Sequence, residues 1–223
     1  MENIIHNRDF LLKDIKTAHE NSYFKDRDVT KLVAVSKKQE DYKIDLALEA
    51  GHKIFGENRL QEAQKRWESR QKIYRDLELR LIGPLQTNKV KQALNLFNII
   101  ETIDREKLAK EIYSNFDNQI KTSSFYIQIN TGNEPQKSGL NSLDADSFID
   151  YCMKDLKLPI VGLMCIPPQN EEGAMHFNLL KKIADRNNLK ELSMGMSNDY
   201  LEAIKFGATS VRVGSLFFGE RNY

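Results

Sequence analysis

Short apolar runs alternate with longer amphipathic stretches along almost the whole chain. Lys31-Leu-Val-Ala-Val-Ser36 is the first such run, apolar at successive positions and bounded by polar residues. That pattern predicts a strand covered on both faces, as in a parallel sheet. Asp41–Ala50 then has helical spacing and stops at Gly51, where a left-handed C-cap falls. The rhythm repeats. Further strands are predicted at Lys53–Gly56, Leu79–Gly83, Asn98–Thr102, Ser124–Asn130, Pro159–Met164, Glu191–Met194 and Ser210–Gly214. A helix is predicted ahead of the first strand, at Asn7–Asn21. Between strands, helices are predicted at Arg59–Arg75, Thr87–Leu96, Asp104–Asn115, Ser142–Lys154, Glu171–Arg186 and Asp199–Phe206, the last followed by Gly207.

Eight strands in unbroken alternation with helices specify a parallel α/β architecture. They favour closure into a single (β/α)8 TIM barrel with an extra N-terminal helix over an open doubly wound sheet. No Pro/Gly/Ser linker, low-complexity tract or shift in composition marks a boundary, so one domain is expected over residues 1–223.

Composition narrows the function classes. The 33 basic and 32 acidic side chains leave a formal charge of +1, without the broad positive field that sequence-independent nucleic-acid binding requires. The N-terminus lacks a basic region followed by an apolar run, and no stretch approaches the roughly twenty apolar residues of a membrane span. A soluble cytoplasmic protein is therefore expected, with neither nucleic acid nor membrane as partner. Cys152 and Cys165 form no CxxC pair and are expected to be buried as small hydrophobes. His6, His19, His52 and His176 are isolated from one another, which argues against a metal site.

In barrels of this kind the active site is assembled from the C-terminal ends of the strands. Here those ends carry Ser36-Lys37, Gly56-Glu57-Asn58-Arg59, Gly83-Pro84, Glu101-Thr102, Asn130-Thr131, Met164, Met194-Gly195 and Gly214-Ser215. Gly195-Met196-Ser197-Asn198 and Gly214-Ser215 are small, hydroxyl-bearing loops that each precede a helical stretch. They follow strands seven and eight, the usual phosphate site of such barrels. The same residues also suit plain helix capping by Ser197 or Asn198, and from the loops alone the two readings stay open. Lys37 closes the first strand. Burial at the barrel mouth would favour its neutral amine, which attacks aldehydes and ketones; two ordinary surface lysines, Lys37 and Lys38, are the alternative. Phosphate loops opposite Lys37 shift that balance towards a phosphorylated aldehyde.

Ala34-Val-Ser-Lys37, Phe55-Gly-Glu-Asn-Arg59 with Gln61-Glu62-Ala63, and Ile82-Gly-Pro-Leu-Gln-Thr-Asn-Lys89 stand in order at the strand ends. So do Asn130-Thr131 with Lys137-Ser-Gly139, Gly162-Leu-Met164, Leu192-Ser-Met-Gly-Met-Ser-Asn-Asp199, Val211-Arg-Val-Gly214 and Phe218-Gly-Glu-Arg221. In this series the chain resembles, nearly end to end, the pyridoxal phosphate homeostasis proteins, an alanine racemase N-terminal-domain-like family. The resemblance implies pyridoxal 5′-phosphate as cofactor, held as a Schiff base on Lys37. It implies that Ser197 and the Gly214-Ser215 amides hold the phosphate, that Arg212 faces the pyridine nitrogen, and that Asn58 and Met194 line the same pocket.

Two departures stand out. Many members of that family have Trp-His before Leu-Ile-Gly and His after it, where this chain has Leu79-Arg80 and Pro84. Their usual His-Ser appears here as Glu101-Thr102. These positions are expected on the third and fourth strands, away from the lysine and the phosphate loops, and cofactor binding is expected to survive them.

An arginine opposite the ring nitrogen disfavours its protonation and weakens the ring as an electron sink. Racemisation also needs a second acid/base on the opposite substrate face, which alanine racemase takes from a separate domain, and this chain has no residues left to build one; Tyr223 is terminal. The expected function is therefore to hold and release the cofactor in vitamin B6 homeostasis without strong catalysis, with apo forms of cofactor-dependent enzymes as recipients. A low-activity amino-acid racemase is the alternative. Lys137 is either a transient second lysine through which the cofactor passes or a solvated loop residue. A monomer is expected.

Overall fold

The computed structural model describes residues 2–117 and 119–219. Eight parallel strands run in chain order around a closed barrel: β1 (Lys31–Val35), β2 (Ile54–Glu57), β3 (Glu78–Leu81), β4 (Ile99–Ile103), β5 (Ser124–Asn130), β6 (Ile160–Cys165), β7 (Glu191–Ser193) and β8 (Ser210–Val213). Each pairs with its sequence neighbours, and β8 returns to β1 with Val33 opposite Arg212 and Ala34 opposite Val213. A two-residue segment, Leu140–Asn141, pairs in parallel with the last two residues of β5, Ile129 and Asn130. The TIM barrel expected from the alternation is present. The strands are short because the buried runs are short: β4 and β8 are buried at every position.

The helices pack their apolar stripes onto the outer face of the sheet. The helix α1 (Glu2–Glu20) precedes the barrel; α2 (Asp41–Glu49) buries Ile44, Ala47 and Leu48; α3 (Leu60–Trp67) buries Leu60, Ala63 and Trp67. Then follow α4 (Arg70–Ile73), α5 (Val90–Leu96), α6 (Glu106–Asn115), α7 (Ala145–Asp150), α8 (Gly173–Arg186), α9 (Tyr200–Lys205) and α10 (Ser215–Phe218). One large apolar core fills the space between these helices and the strands. Cys152 and Cys165 lie in it, and burial pushes both thiols up to about 12.

Sharp helix ends make the strand returns short. At Gly51 (φ +83°) the N–H donates to the Leu48 carbonyl while that of His52 donates to Ala47, a Schellman pair that only a residue tolerating the left-handed region closes cheaply. The same two bonds end α8 at Asn188 and α9 at Gly207.

Three predicted helices are divided. The Arg59–Arg75 pattern breaks after Trp67, because the Arg70 guanidinium donates to the Arg66 carbonyl at 2.6 Å and binds Asp45 at 2.7 and 2.9 Å. That side chain takes the acceptor the regular helix would use. Thr87–Lys89 is a single 3₁₀ turn leading into α5. The Ser142–Lys154 pattern becomes a 3₁₀ turn, then α7, then a π-helical turn over Tyr151–Asp155, where the Leu156 N–H reaches back to Tyr151. Glu220, Arg221 and Tyr223, noted in the sequence, lie outside the described residues.

The N-terminal helix supports the mouth of the barrel from outside. Asp14 accepts from the Tyr200 hydroxyl on α9, and the Asn7 amide donates to the Phe217 carbonyl on α10 at 3.2 Å. The His52 ring lies edge-on to Phe55 and tilted against Phe217, with ring centroids 5.1 and 4.9 Å away, and its Nε2 is bonded to the Ile54 carbonyl at 2.9 Å. Burial, only partly offset by that bond, lowers the His52 pKa from 6.5 to about 4. An imidazole held neutral in the fold is protonated first in the unfolded chain, so its contribution to stability is complete above pH 6.5 and is lost as pH falls towards 4. The stability difference between the wild type and His52→Gln is expected to shrink by about 3 kcal/mol over that interval. Denaturant melts of both proteins from pH 7.5 to 4 check this, and a difference that stays constant with pH would refute it.

Candidate functional site

The C-terminal ends of β8, β1 and β2 are neighbours, and they bring together residues distant in sequence. Val35 is opposite Gly56, which sets Lys37 beside Asn58, while Val213 is opposite Ala34, so Gly214-Ser215 follow on the other flank of Lys37. The hydroxyl of Ser215 donates to that of Ser197 at 3.1 Å, joining the two loops that follow β7 and β8.

Neither Ser197 nor Asn198 caps the next helix. The N-cap of α9 is Asp199, whose carboxylate bonds back to the Met196 N–H at 2.5 Å. Capping therefore does not account for Ser197. Gly195, at φ +92°, turns the chain between β7 and this loop, where a Cβ would lie 2.6 Å from that of Ala203. Met194 is wholly buried in the apolar core, one residue before that turn.

The loop carrying Lys37 is gripped from below. Lys37 is half-buried, and Lys38 beside it is exposed, at φ +58°. Arg66 on α3 donates to the carbonyls of Ser36 and Gln39, both at 2.9 Å, so one guanidinium holds the turn on either side of the two lysines. Arg66 is itself held by Glu57, a fully buried carboxylate at the end of β2. The same Glu57 oxygen accepts from the Ser36 hydroxyl at 2.7 Å and from the Trp67 indole at 3.0 Å. Glu57 stands among the strand-end residues, but the roles of Arg66 and Trp67 were not legible. Their only signal is a helical position nine and ten residues after a buried carboxylate.

Arg212 is 4% exposed and lies inside the barrel. Its Nη1 donates to the Ser193 hydroxyl and its Nη2 to the Cys165 carbonyl, each at 2.7 Å. Ser193 in turn donates to Glu101 at 2.6 Å, and the other oxygen of Glu101 accepts from Arg80 at 2.9 Å. Arg80 also reaches Ser210 at 3.3 Å and Glu78 at 2.6 Å. Arg80 and Glu101 were expected on the third and fourth strands, away from Lys37 and the phosphate loops. They sit on β3 and β4 but are joined to Arg212 across the barrel interior, because inward positions of opposite strands meet there. Burial opposes the Arg80 charge, yet Glu101 and Glu78 outweigh it and hold its pKa above the usual arginine value.

An open cavity of about 720 Å³ adjoins the mouth, lined in part by Asn58, Pro84, Lys89, Arg105 and Ser138. Asn58 is half-buried, and its Oδ1 is buried without a hydrogen-bond partner among the described residues. Lys137, next to Ser138, forms an ion pair with Glu134 at 2.5 Å.

A family model described as alanine racemase, N-terminal domain, matches residues 18–222. The pyridoxal phosphate homeostasis protein of Aquifex aeolicus is 39% identical over 183 residues, covering 78% of this chain and 79% of that one. The structure of PipY from Synechococcus elongatus with PLP bound superposes with a TM-score of 0.82 at 27% identity, over 97% of this chain and all of that one. Alanine racemase of Clostridium difficile shares the fold alone, with a TM-score of 0.70 at 12% identity over this whole chain and 58% of that one. Taken with the strand-end residues, the family match and the extent of this identity mean that the chain belongs to the pyridoxal phosphate homeostasis protein family, built on the alanine racemase N-terminal-domain fold.

Proposed function

We propose that this protein binds pyridoxal 5′-phosphate as a Schiff base on Lys37 and holds and releases it in the cytoplasm, as a reserve for apo-enzymes that need it. The observation that carries the reading is the hydrogen bond between Ser197 and Ser215, which makes one small hydroxyl-rich cup of two loops beside the strand end that bears Lys37. The name of the similar A. aeolicus protein and the PLP bound by PipY support the choice of cofactor and of role.

The residues present fit that group chemically. Ser197, Gly214 and Ser215 would take its phosphate, and the buried Arg212 would face its ring nitrogen. The Oδ1 of Asn58, unpaired among the described residues, would complete the wall, whereas Met194 is packed into the apolar core. When bound, the cofactor supplies an aldehyde. Lys37 would hold that aldehyde through its neutral amine, one water leaving as the C=N bond forms and one water returning when the cofactor is released. Arg66 and Glu57 keep the lysine-bearing turn in place. Arg212, a permanent cation, disfavours a proton on the ring nitrogen and so weakens the carbanion chemistry that a racemase needs. The likeness to alanine racemase is one of fold and carries no activity with it.

The purified protein loaded with pyridoxal 5′-phosphate is expected to show a visible absorbance band that is absent from Lys37→Ala, and borohydride reduction is expected to fix the cofactor on the peptide containing Lys37. A band that persists in Lys37→Ala would overturn the assignment. Ser197→Ala and Ser215→Ala are each expected to weaken cofactor affinity by about tenfold, the loss of a bond to a charged group, with little change in the thermal midpoint of the apo-protein. Equilibrium titration measures the loss, and unchanged affinity in both variants would remove the phosphate cup. Mixing the loaded protein with L- or D-alanine in deuterated water is expected to give no α-proton exchange above that of free cofactor. Rapid exchange would favour the racemase reading.

A further inference from the structure

We propose that Glu101, anchored by Arg80, is a positioning residue for the cofactor's ring-nitrogen side: through the Ser193 hydroxyl it fixes the place and direction of the Arg212 guanidinium. The inference rests on the cofactor reading above and deepens it.

Hydrogen-bond direction carries the argument. A serine hydroxyl has one proton and can turn either way, whereas a guanidinium only donates and an ionised carboxylate only accepts. Ser193 is fully buried between one of each, 2.6 Å from Glu101 and 2.7 Å from Arg212. Its proton must therefore point to Glu101 and its lone pair to Arg212. The second Arg212 nitrogen is tied to the Cys165 carbonyl, and the Arg212 backbone N–H to Gly195 at 2.9 Å. The side chain is thus held from β6 and β7, with its remaining donors left for a ligand.

Glu101 is equally constrained. Arg80 holds its other oxygen, and Arg80 is bonded to Ser210 on the strand of Arg212 itself, so the relay closes a loop through β3, β4, β7 and β8. The charged and titratable groups facing this relay are Glu78 and Arg80 from β3, Tyr126 from β5, Cys165 from β6, Glu191 from β7 and Arg212 from β8. Two charges on opposite sides of one buried hydroxyl are weakly screened, so the carboxylate acts on the arginine by field as well as by position.

The test titrates pyridoxal 5′-phosphate into wild type, Lys37→Ala, Glu101→Gln, Ser193→Ala and the Glu101→Gln/Ser193→Ala double variant, and follows the Lys37-dependent band against pH. Each single variant is expected to bind about tenfold more weakly. The double variant is expected to be no weaker than the worse single one, because both changes break one relay. In Glu101→Gln, loss of a negative charge is expected to move the pH midpoint of the band down by roughly one unit. Packing damage alone would lower thermal stability and leave that midpoint where it was. Wild-type affinity and midpoint in Ser193→Ala, a change small enough to spare the fold, would overturn the inference, as would additive losses in the double variant. A wild-type protein with no Lys37-dependent band would overturn the Schiff-base reading and this inference together; a normal band that Ser193→Ala leaves untouched would overturn the inference alone.

Discussion

Glu101 is a carboxylate sealed inside the barrel with a donor on each oxygen, and that requirement ties four strands together at once. Taking an ion of each sign out of water costs several kcal/mol per ion, so the Arg80–Glu101 pair contributes little net stability. What it contributes is definition. Arg80 spends its donors on Glu101, Glu78 and Ser210, and Glu101 spends its acceptors on Arg80 and Ser193. A shift of one residue in the register of β3, β4, β7 or β8 would strand a buried charge. The interior therefore selects one arrangement of strand ends, and those strand ends carry the site.

The outer layer works by a different rule. Apolar stripes on the helices bury against the strands, and short Schellman ends return the chain after α2, α8 and α9 with little slack. Onto this frame two polar clamps are added, each built on a buried carboxylate. Glu57 works through Arg66 to hold the turn with Lys37, and Glu101 works through Ser193 to hold Arg212. The proposed cofactor would thus meet a fixed lysine at one end and a fixed arginine at the other. The Ser197–Ser215 cup is supported from behind by α1, whose Asn7 and Asp14 bond to α10 and α9. An ordered mouth of this kind suits storage of a reactive aldehyde, because binding then needs little ordering of the chain.

Much of the fold was legible because a barrel repeats a local code. Ser124–Asn130 was bounded correctly to the residue, and the other strands lie within two residues of expectation, since runs buried on both faces are conspicuous. The helices were less so. Arg59–Arg75 keeps a helical spacing throughout, and nothing in that spacing announces that Arg70 will take a carbonyl from its own helix. Lys37, Ser197, Gly214 and Ser215 were legible as strand-end residues, and the hydroxyls of Ser197 and Ser215 do meet. Arg80 and Glu101 also carried a local signal, though nothing local announced their link to Arg212. A lone charge flanked by Leu79 and Leu81, or by Ile100 and Thr102, faces inward and requires a buried partner, and each proved to be the other's.

The sequence by itself determined the barrel, the order of its strands and the identity of the residues at its mouth, because burial periodicity and strand-end position are local properties. Only the tertiary structure decided which of those residues act together. Hydrogen bonds from Glu57 to Arg66, and from Glu101 through Ser193 to Arg212, span up to 92 positions of chain for a single bond. The pairing of inward side chains across a closed barrel depends on shear and register, which no local pattern encodes.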